Sequence, residues 1–414
     1  MLKPKGFTTR LIHTPFARED ANRALQQPIY SNAAFDFESA EQMELAFQGR
    51  VAAHSYSRIS NPTVENFELR IKEITGALNV TALSSGMAAV SNTILLLASA
   101  GSNLIASKYL FGNTYVFFES TIRDFGIEVR FCDLTKPEEV KANIDSQTIG
   151  IFVETITNPQ LEVADLKALA QTAHSANIPL IADSTLTPPN TFNAKSFGVD
   201  LEIISSTKCI SGGGTSVGGL IIDYGTFDWS KSKKLAPLAK RYGPFAFNYK
   251  LRREVFRNLG ACLSPFAAYL QSLGLETLQM RFEKAANSCR ELTEYLLTIP
   301  QIKCVNYVGI KGSPYDEISK KQFGNFPGAM LTFDFDSKET CFDFMNNLQL
   351  IRRATNVYDN KTLILHPAST IYCDFDQQKR ESLQVFDTML RLSLGIEDLD
   401  DLKEDIAQAI TKLK

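Results

Sequence analysis

Between residues 80 and 223 the sequence alternates seven short apolar runs with helix-length stretches, and few folds accommodate that order. The runs fall at 80–83, 104–107, 127–132, 150–154, 179–183, 201–205 and 217–223. Most are almost continuously apolar, the pattern of strands buried on both faces. Residues 87–100, 114–125 and 163–176 between them have helical length and pattern. Strand–helix alternation predicts an α/β fold, a mostly parallel sheet flanked by helices. Such sheets bind ligands outside the carboxyl ends of their strands, which is where Glu154, Asp183 and Ser205 fall.

The flanking regions read differently. Residues 1–55 form an expected arm with one short helix near Ser39 to Phe47, and the stretch from Phe227 to Tyr249 reads as a connector. A long helical pattern covers 263–297. Strand-like runs follow at 304–307, 329–335 and 390–394, and an amphipathic helix begins at Glu397 with Leu399, Leu402, Ile406 and Ile410 on one face. This predicts a smaller α+β C-terminal domain, dividing the chain at 1–55, 56–255 and 256–414.

At 414 residues, 44% hydrophobic and 21% charged, the composition is that of a globular protein of more than one domain. A net charge of −3 gives no reason to expect nucleic acid or an acidic membrane as partner. The most apolar stretch, 90–100, is short and contains Ser91, Asn92 and Ser99, so a buried helix is expected there. The start, Met1-Leu2-Lys3-Pro4-Lys5, lacks the apolar core of a signal peptide. Seven cysteines, odd in number and never spaced CxxC, argue against a disulfide framework or a zinc site. A reducing cytoplasm is the expected compartment, and no metal is expected.

Chemistry concentrates around Lys208. Ser205-Ser206-Thr207-Lys208 is followed by Cys209-Ile210-Ser211-Gly212-Gly213-Gly214, placing an amine beside hydroxyls suited to a phosphate. That arrangement suits pyridoxal phosphate (PLP), held through its phosphate and condensed with the lysine as a Schiff base. A solvated surface lysine is the alternative. Asp183 is placed to pair with a cofactor ring nitrogen or, equally, to N-cap a helix after its strand. Ser84-Ser85-Gly86-Met87 opens a helix and offers backbone N–H groups to an anion, or is an ordinary cap. Tyr56 and Arg58, two residues apart, face one way on an extended segment and suit a phosphate, or belong to a surface loop. Arg391 inside the run Leu390-Arg391-Leu392-Ser393-Leu394 needs a buried ion-pair partner or a substrate carboxylate. Gly212 to Gly219 has neither GxGxxG nor GxxxxGK[ST] and no following helix, so it is not a nucleotide loop.

Together these features resemble the Cys/Met-metabolism family of PLP enzymes, which includes cystathionine γ-synthase, the γ-lyases and the O-acetylhomoserine sulfhydrylases. The motifs are YSRISNPT (56–63), SSGMAA (84–89), ETITNP (154–159), ADST (182–185), SSTKCISGGGTSVGG (205–219) and RLSLGIED (391–398). The segment from Asn356 to Thr370 looks most like the sulfhydrylase branch. The resemblance implies the aspartate-aminotransferase-like fold (fold type I) and PLP as cofactor. It implies that Lys208 carries the cofactor and shuttles protons, and that Asp183 meets the pyridinium nitrogen. Gly86, Met87, Ser205 and Thr207 would bind the phosphate, joined by Tyr56 and Arg58 of a neighbouring subunit. Asn158 would lie near the ring oxygen and the substrate, and Arg391 with Asn356 would hold the substrate α-carboxylate. A homotetramer built of dimers with shared sites would follow, acting on a small amino-acid substrate and a sulfur donor.

Two departures stand out. Where the family usually stacks a tyrosine on the cofactor ring, this chain has Phe111-Gly112-Asn113-Thr114. Phe111 can stack but has no hydroxyl, and either Tyr56 or Lys208 would take over its proton transfer. The His that often follows HPAST is replaced in Thr370-Ile371-Tyr372. The expected reaction is γ-replacement on O-acetylhomoserine by sulfide or methanethiol. The rivals are a γ-lyase yielding an α-keto acid and ammonia, and a non-catalytic protein on the same fold. Asn113, where methionine γ-lyases carry a cysteine, favours replacement.

Overall fold

The computed structural model describes residues 5–18 and 20–413. All seven apolar runs are strands: β1 (Asn79–Leu83), β2 (Asn103–Ser107), β3 (Glu128–Cys132), β4 (Thr148–Glu154), β5 (Leu180–Asp183), β6 (Leu201–Ile204) and β7 (Gly219–Asp223). They form one sheet in the order β1-β7-β6-β5-β4-β2-β3. β7 runs antiparallel to β1 and β6, and the remaining neighbours pair in parallel. β2, β6 and β7 are buried along their whole length, which explains why their sequences show no polar alternation.

Register decides where the chemistry collects. Glu154 at the end of β4 pairs with Asp183 at the end of β5, and Asp183 in turn pairs with Ile203 of β6. Two carboxylates and the Ser205–Lys208 turn therefore meet at one edge of the sheet. The helix Gly86–Leu97 starts at that edge, with Ser85 as its N-cap accepting from Ala88 N at 3.0 Å.

A second sheet holds β8 (Cys304–Asn306), β9 (Met330–Asp334), β10 (Arg352–Arg353), β11 (Leu363–Leu365) and β12 (Met389–Ser393), ordered β10-β11-β12-β9-β8. β12 pairs antiparallel with both β9 and β11, which sets Arg391 opposite Thr332 and Leu365. The closing helix, Leu399–Ile410, buries Leu402, Asp405, Ile406 and Ala409, while Leu399 and Ile410 are only partly covered. Asp405 is the polar surprise on that face. Its carboxylate accepts from Gln349, Leu350 and Ile351 N at 2.8–3.0 Å, satisfying the turn before β10.

Several expectations needed correction. The long pattern at 263–297 is two helices, Pro265–Glu276 and Leu278–Leu296, meeting at Thr277, whose φ of −108° and ψ of 6° leave the helical region. The stretch 114–125 is an α-turn (Gly112–Val116), a π-turn (Phe117–Thr121) and a 3-10 turn (Arg123–Phe125) in succession. The connector from Phe227 to Tyr249 is mostly helical, with Trp229–Lys231 and Ala236–Tyr242 docked through Trp229, which stacks on Phe247 at 5.1 Å. The N-terminal arm carries a helix at Phe7–Ile12, anchored by the fully buried Leu11, in addition to Ala40–Phe47. Among the described residues no helix is long and apolar enough to cross a membrane.

Candidate active site

A cavity of about 330 Å³ opens at the carboxyl ends of β4, β5 and β6, closed on its far side by β12 and the segment after β10. Nine residues singled out from the sequence line it: Gly86, Met87, Phe111, Asn158, Asp183, Ser205, Thr207, Lys208 and Arg391. Asn356 borders it between the lining residues Thr355 and Val357. Tyr56 and Arg58 lie outside it. Arg58 Nη1 donates to Arg257 O at 2.6 Å, its guanidinium stands 5.4 Å over the Tyr56 ring, and Tyr56 is 44% exposed.

Lys208 is largely buried rather than a surface lysine, and burial together with the Arg391 charge pushes its amine down to about 8. Its Nζ donates to Asn356 Oδ1 at 2.8 Å. No helix starts at Asp183; it faces the cavity, and one oxygen accepts from Thr185 N at 2.9 Å within a turn. Burial holds its carboxyl above the usual range. Arg391 has no ion-pair partner among the described residues. It is 1% exposed and donates to three neutral oxygens, Asn158 Oδ1 at 3.2 Å, Thr355 O at 3.3 Å and Asn356 O at 3.2 Å, while Nε is left without a partner. Desolvation pushes it down to about 10, still charged at neutral pH.

Glu154 stands at a strand end, where the sequence alone assigns it no task. It is buried, its Oε1 accepts from Phe111 N at 2.7 Å, and burial with the nearby Asp183 charge pushes its carboxyl well above the usual range. Tyr372, which replaces the family's histidine region, donates its hydroxyl to Leu110 O at 2.9 Å and Asn158 O at 3.1 Å. The peptide bond entering Phe111 is thus held at both its N–H and its C=O. Thr185 was also missed as an individual, and its Oγ1 accepts from Ser205 N at 2.9 Å, tying the Asp183 turn to the Ser205 turn. Strand ends within the motifs ETITNP and ADST were the available signals for both.

The cavity therefore brings the buried Arg391 and Glu154 together with the half-buried Lys208 and Asp183, with no ion pair among them, and the Arg391 charge there is costly unless a ligand supplies its counter-charge. The donor set fits PLP. Asp183 would meet the ring nitrogen, and the start of the helix at Gly86 with Ser205 and Thr207 would meet the phosphate. Gly86 shows the constraint directly, since a Cβ there would lie 2.8 Å from Ser205 Cβ and fill the cradle.

The profile of the "Cys/Met metabolism PLP-dependent enzyme" family matches residues 8–411. The chain belongs to that family. It is accordingly a PLP-dependent enzyme, and the α/β architecture is that of the family's solved members. The chain is 34% identical to O-acetyl-L-homoserine sulfhydrylase of Corynebacterium glutamicum, an alignment spanning 97% of this chain and 96% of that one. Among solved structures it resembles an O-acetylhomoserine sulfhydrylase of the methionine biosynthetic pathway of Wolinella succinogenes, with 50% identity, a TM-score of 0.76, and 85% and 98% of the two chains covered. It also resembles a putative O-acetylhomoserine (thiol)-lyase of Campylobacter jejuni that carries a pyridoxyl-lysine monophosphate, with 31% identity, a TM-score of 0.91, and 98% and 100% covered.

Proposed function

We propose that this PLP-dependent enzyme catalyses γ-replacement on O-acetyl-L-homoserine. The Cγ–O bond to acetate is broken and a Cγ–S bond to sulfide or methanethiol is formed, giving L-homocysteine or L-methionine plus acetate. The observation that carries the reading is the pairing, in one cavity, of a half-buried lysine of lowered basicity with a buried arginine that has no carboxylate partner among the described residues. Together they suit an α-amino acid, whose carboxylate meets Arg391 and whose reacting carbons come within reach of Lys208. When bound, PLP supplies the electron sink for the carbanions. The chain's own groups do the rest. Lys208 Nζ takes and returns protons at Cα and Cβ, a task suited to an amine near neutral basicity. Asp183 would hold positive charge at the cofactor's ring nitrogen. Glu154 and Tyr372 fix the peptide that carries Phe111 into the cavity wall, where its side chain would meet the cofactor ring. Ile156, Leu186, Val217 and Val357 line the remaining wall and keep it apolar.

The test is a product assay with O-acetylhomoserine. Homocysteine is expected with sulfide, and little 2-oxobutanoate without it. Prompt 2-oxobutanoate and ammonia in both conditions would assign the chain to the γ-lyases instead.

The placement of Tyr56 and Arg58 outside this chain's cavity supports a site completed by a second copy. The reading divides the chain into an arm (1–55) reaching the neighbour, a PLP-binding domain (56–255) and a C-terminal domain (256–414). It places the active sites in dimers that pair into a tetramer, and the enzyme in the cytoplasm, where seven unpaired cysteines are stable. Co-expressing Arg58→Ala and Lys208→Ala chains tests the shared site. Each hybrid dimer would hold one site with both defects and one with neither, so random pairing restores roughly a quarter of the wild-type sites. Isolated hybrids without activity would put both residues in one chain's site.

A further inference from the structure

The triple glycine after Lys208 is not a nucleotide loop, yet it packs hard against the segment that receives the lysine. Gly214 has a φ of +62°, and a Cβ there would stand 2.7 Å from Asp359 Oδ2 and 3.4 Å from Asn356 Nδ2. Only a residue without a side chain admits this approach in that left-handed conformation. The space is occupied by a short chain of polar groups. Lys208 Nζ donates to Asn356 Oδ1 at 2.8 Å, and Asn356 Nδ2 donates to Asp359 Oδ2 at 3.2 Å. The other Asp359 oxygen accepts from Lys361 N at 3.1 Å and Lys361 Nζ at 3.3 Å. The segment's backbone is pinned independently. Arg391 donates to Thr355 O and Asn356 O, and Tyr358, at φ 53°, donates its N–H to Ser393 Oγ at 2.8 Å.

We propose that Asp359 is a positioning residue for Lys208, acting through Asn356. An asparagine amide has a donor end and an acceptor end of nearly equal shape, so neighbours decide which way it points. A carboxylate accepts only. Asp359 therefore holds the Asn356 NH2 towards itself and turns the carbonyl oxygen towards Lys208, giving the unattached amine a fixed acceptor between proton transfers. The carboxylate also opposes the Arg391 charge at Lys208; these are the two charged groups acting on the amine, with Lys361 partly neutralising Asp359. Replacing the carboxylate by an amide of the same shape removes both effects, because Asn at 359 presents either end.

This rests on Lys208 being the cofactor-bearing lysine, and the test separates the two claims. Full-length chain stripped of cofactor is labelled at Lys208 with an acid anhydride across pH, and the extent is read by mass spectrometry. In wild type the midpoint should lie near 8. Asp359→Asn should lower that midpoint, and the reconstituted enzyme should lose about tenfold in kcat, about 1.4 kcal/mol in the barrier, with KM changed by less than about twofold. Gly214→Ala, which drives a methyl into the Asp359 carboxylate, should reproduce the lowered midpoint. An unchanged midpoint with unchanged kcat in Asp359→Asn overturns the proposal, as does a rise in KM alone, which would place Asp359 on the substrate side. The labelling needs no cofactor, so failure of the Lys208 assignment would show separately, as a Lys208→Ala enzyme that keeps its visible band and its turnover.

Discussion

Lys208→Ala is expected to fold, to lack the visible band of lysine-bound cofactor, and to lose turnover by more than about 1,000-fold, about 4 kcal/mol in the barrier. The structure also predicts a gain. Burial holds the Lys208 amine at about 8 against an ordinary value of 10.5, so folding the cofactor-free chain at neutral pH pays for a charged group in a poor environment. The sign follows from proton counts. Between the folded value and the ordinary value the unfolded chain binds more protons, so stability rises with pH across that window. Below it the full penalty is present, on the order of 3 kcal/mol. Lys208→Met, which keeps the volume and removes the charge, should therefore stabilise the stripped chain at neutral pH, and the difference should shrink as pH climbs from 8 towards 10.5. Denaturant unfolding of both stripped chains at several pH values measures this. A Lys208→Met chain less stable than wild type at neutral pH would mean that the amine is well solvated or well paired, contrary to the cavity described.

The large sheet was legible because its strands are buried on both faces, which leaves near-continuous apolar runs between helix-length stretches. The site was legible where chemistry sits at a strand end. Asp183, Glu154 and the Ser205–Lys208 turn are ordered by sheet register, and any parallel sheet with these strands side by side brings them to one edge. What could not be read depends on contacts between distant segments. Thr277 breaks a helical pattern that is continuous in the sequence, and the 227–249 stretch folds as helices because Trp229 and Phe247 bury each other. Glu154 has its task only because Phe111 N lies 2.7 Å away across the cavity wall. The choice between an ion pair and a free cation at Arg391 depends on the whole neighbourhood, since the decisive fact is that no carboxylate of the described residues reaches it.

Arg391→Lys is expected to raise KM for O-acetylhomoserine by about 100-fold or more, about 3 kcal/mol, which is the scale of hydrogen bonds to charged groups in a desolvated site. The guanidinium is held by Asn158 Oδ1, Thr355 O and Asn356 O, all neutral, so among the described residues its charge is uncompensated. A substrate carboxylate would supply that charge and accept from the fork in two parallel bonds. Lysine keeps the charge but presents a single nitrogen, and it cannot brace three oxygens while also gripping a carboxylate in a fixed plane. Cofactor binding should survive, because the phosphate and ring contacts come from other elements, so the visible band of the variant should match wild type. Arg391→Ala should bind substrate still more weakly and regain part of its activity when a small guanidinium ion is added, since the vacated volume is enclosed and lined by the same three acceptors. Retention of wild-type KM in both variants would show that the carboxylate is held elsewhere and that Arg391 serves only to join the Asn158 and Asn356 segments.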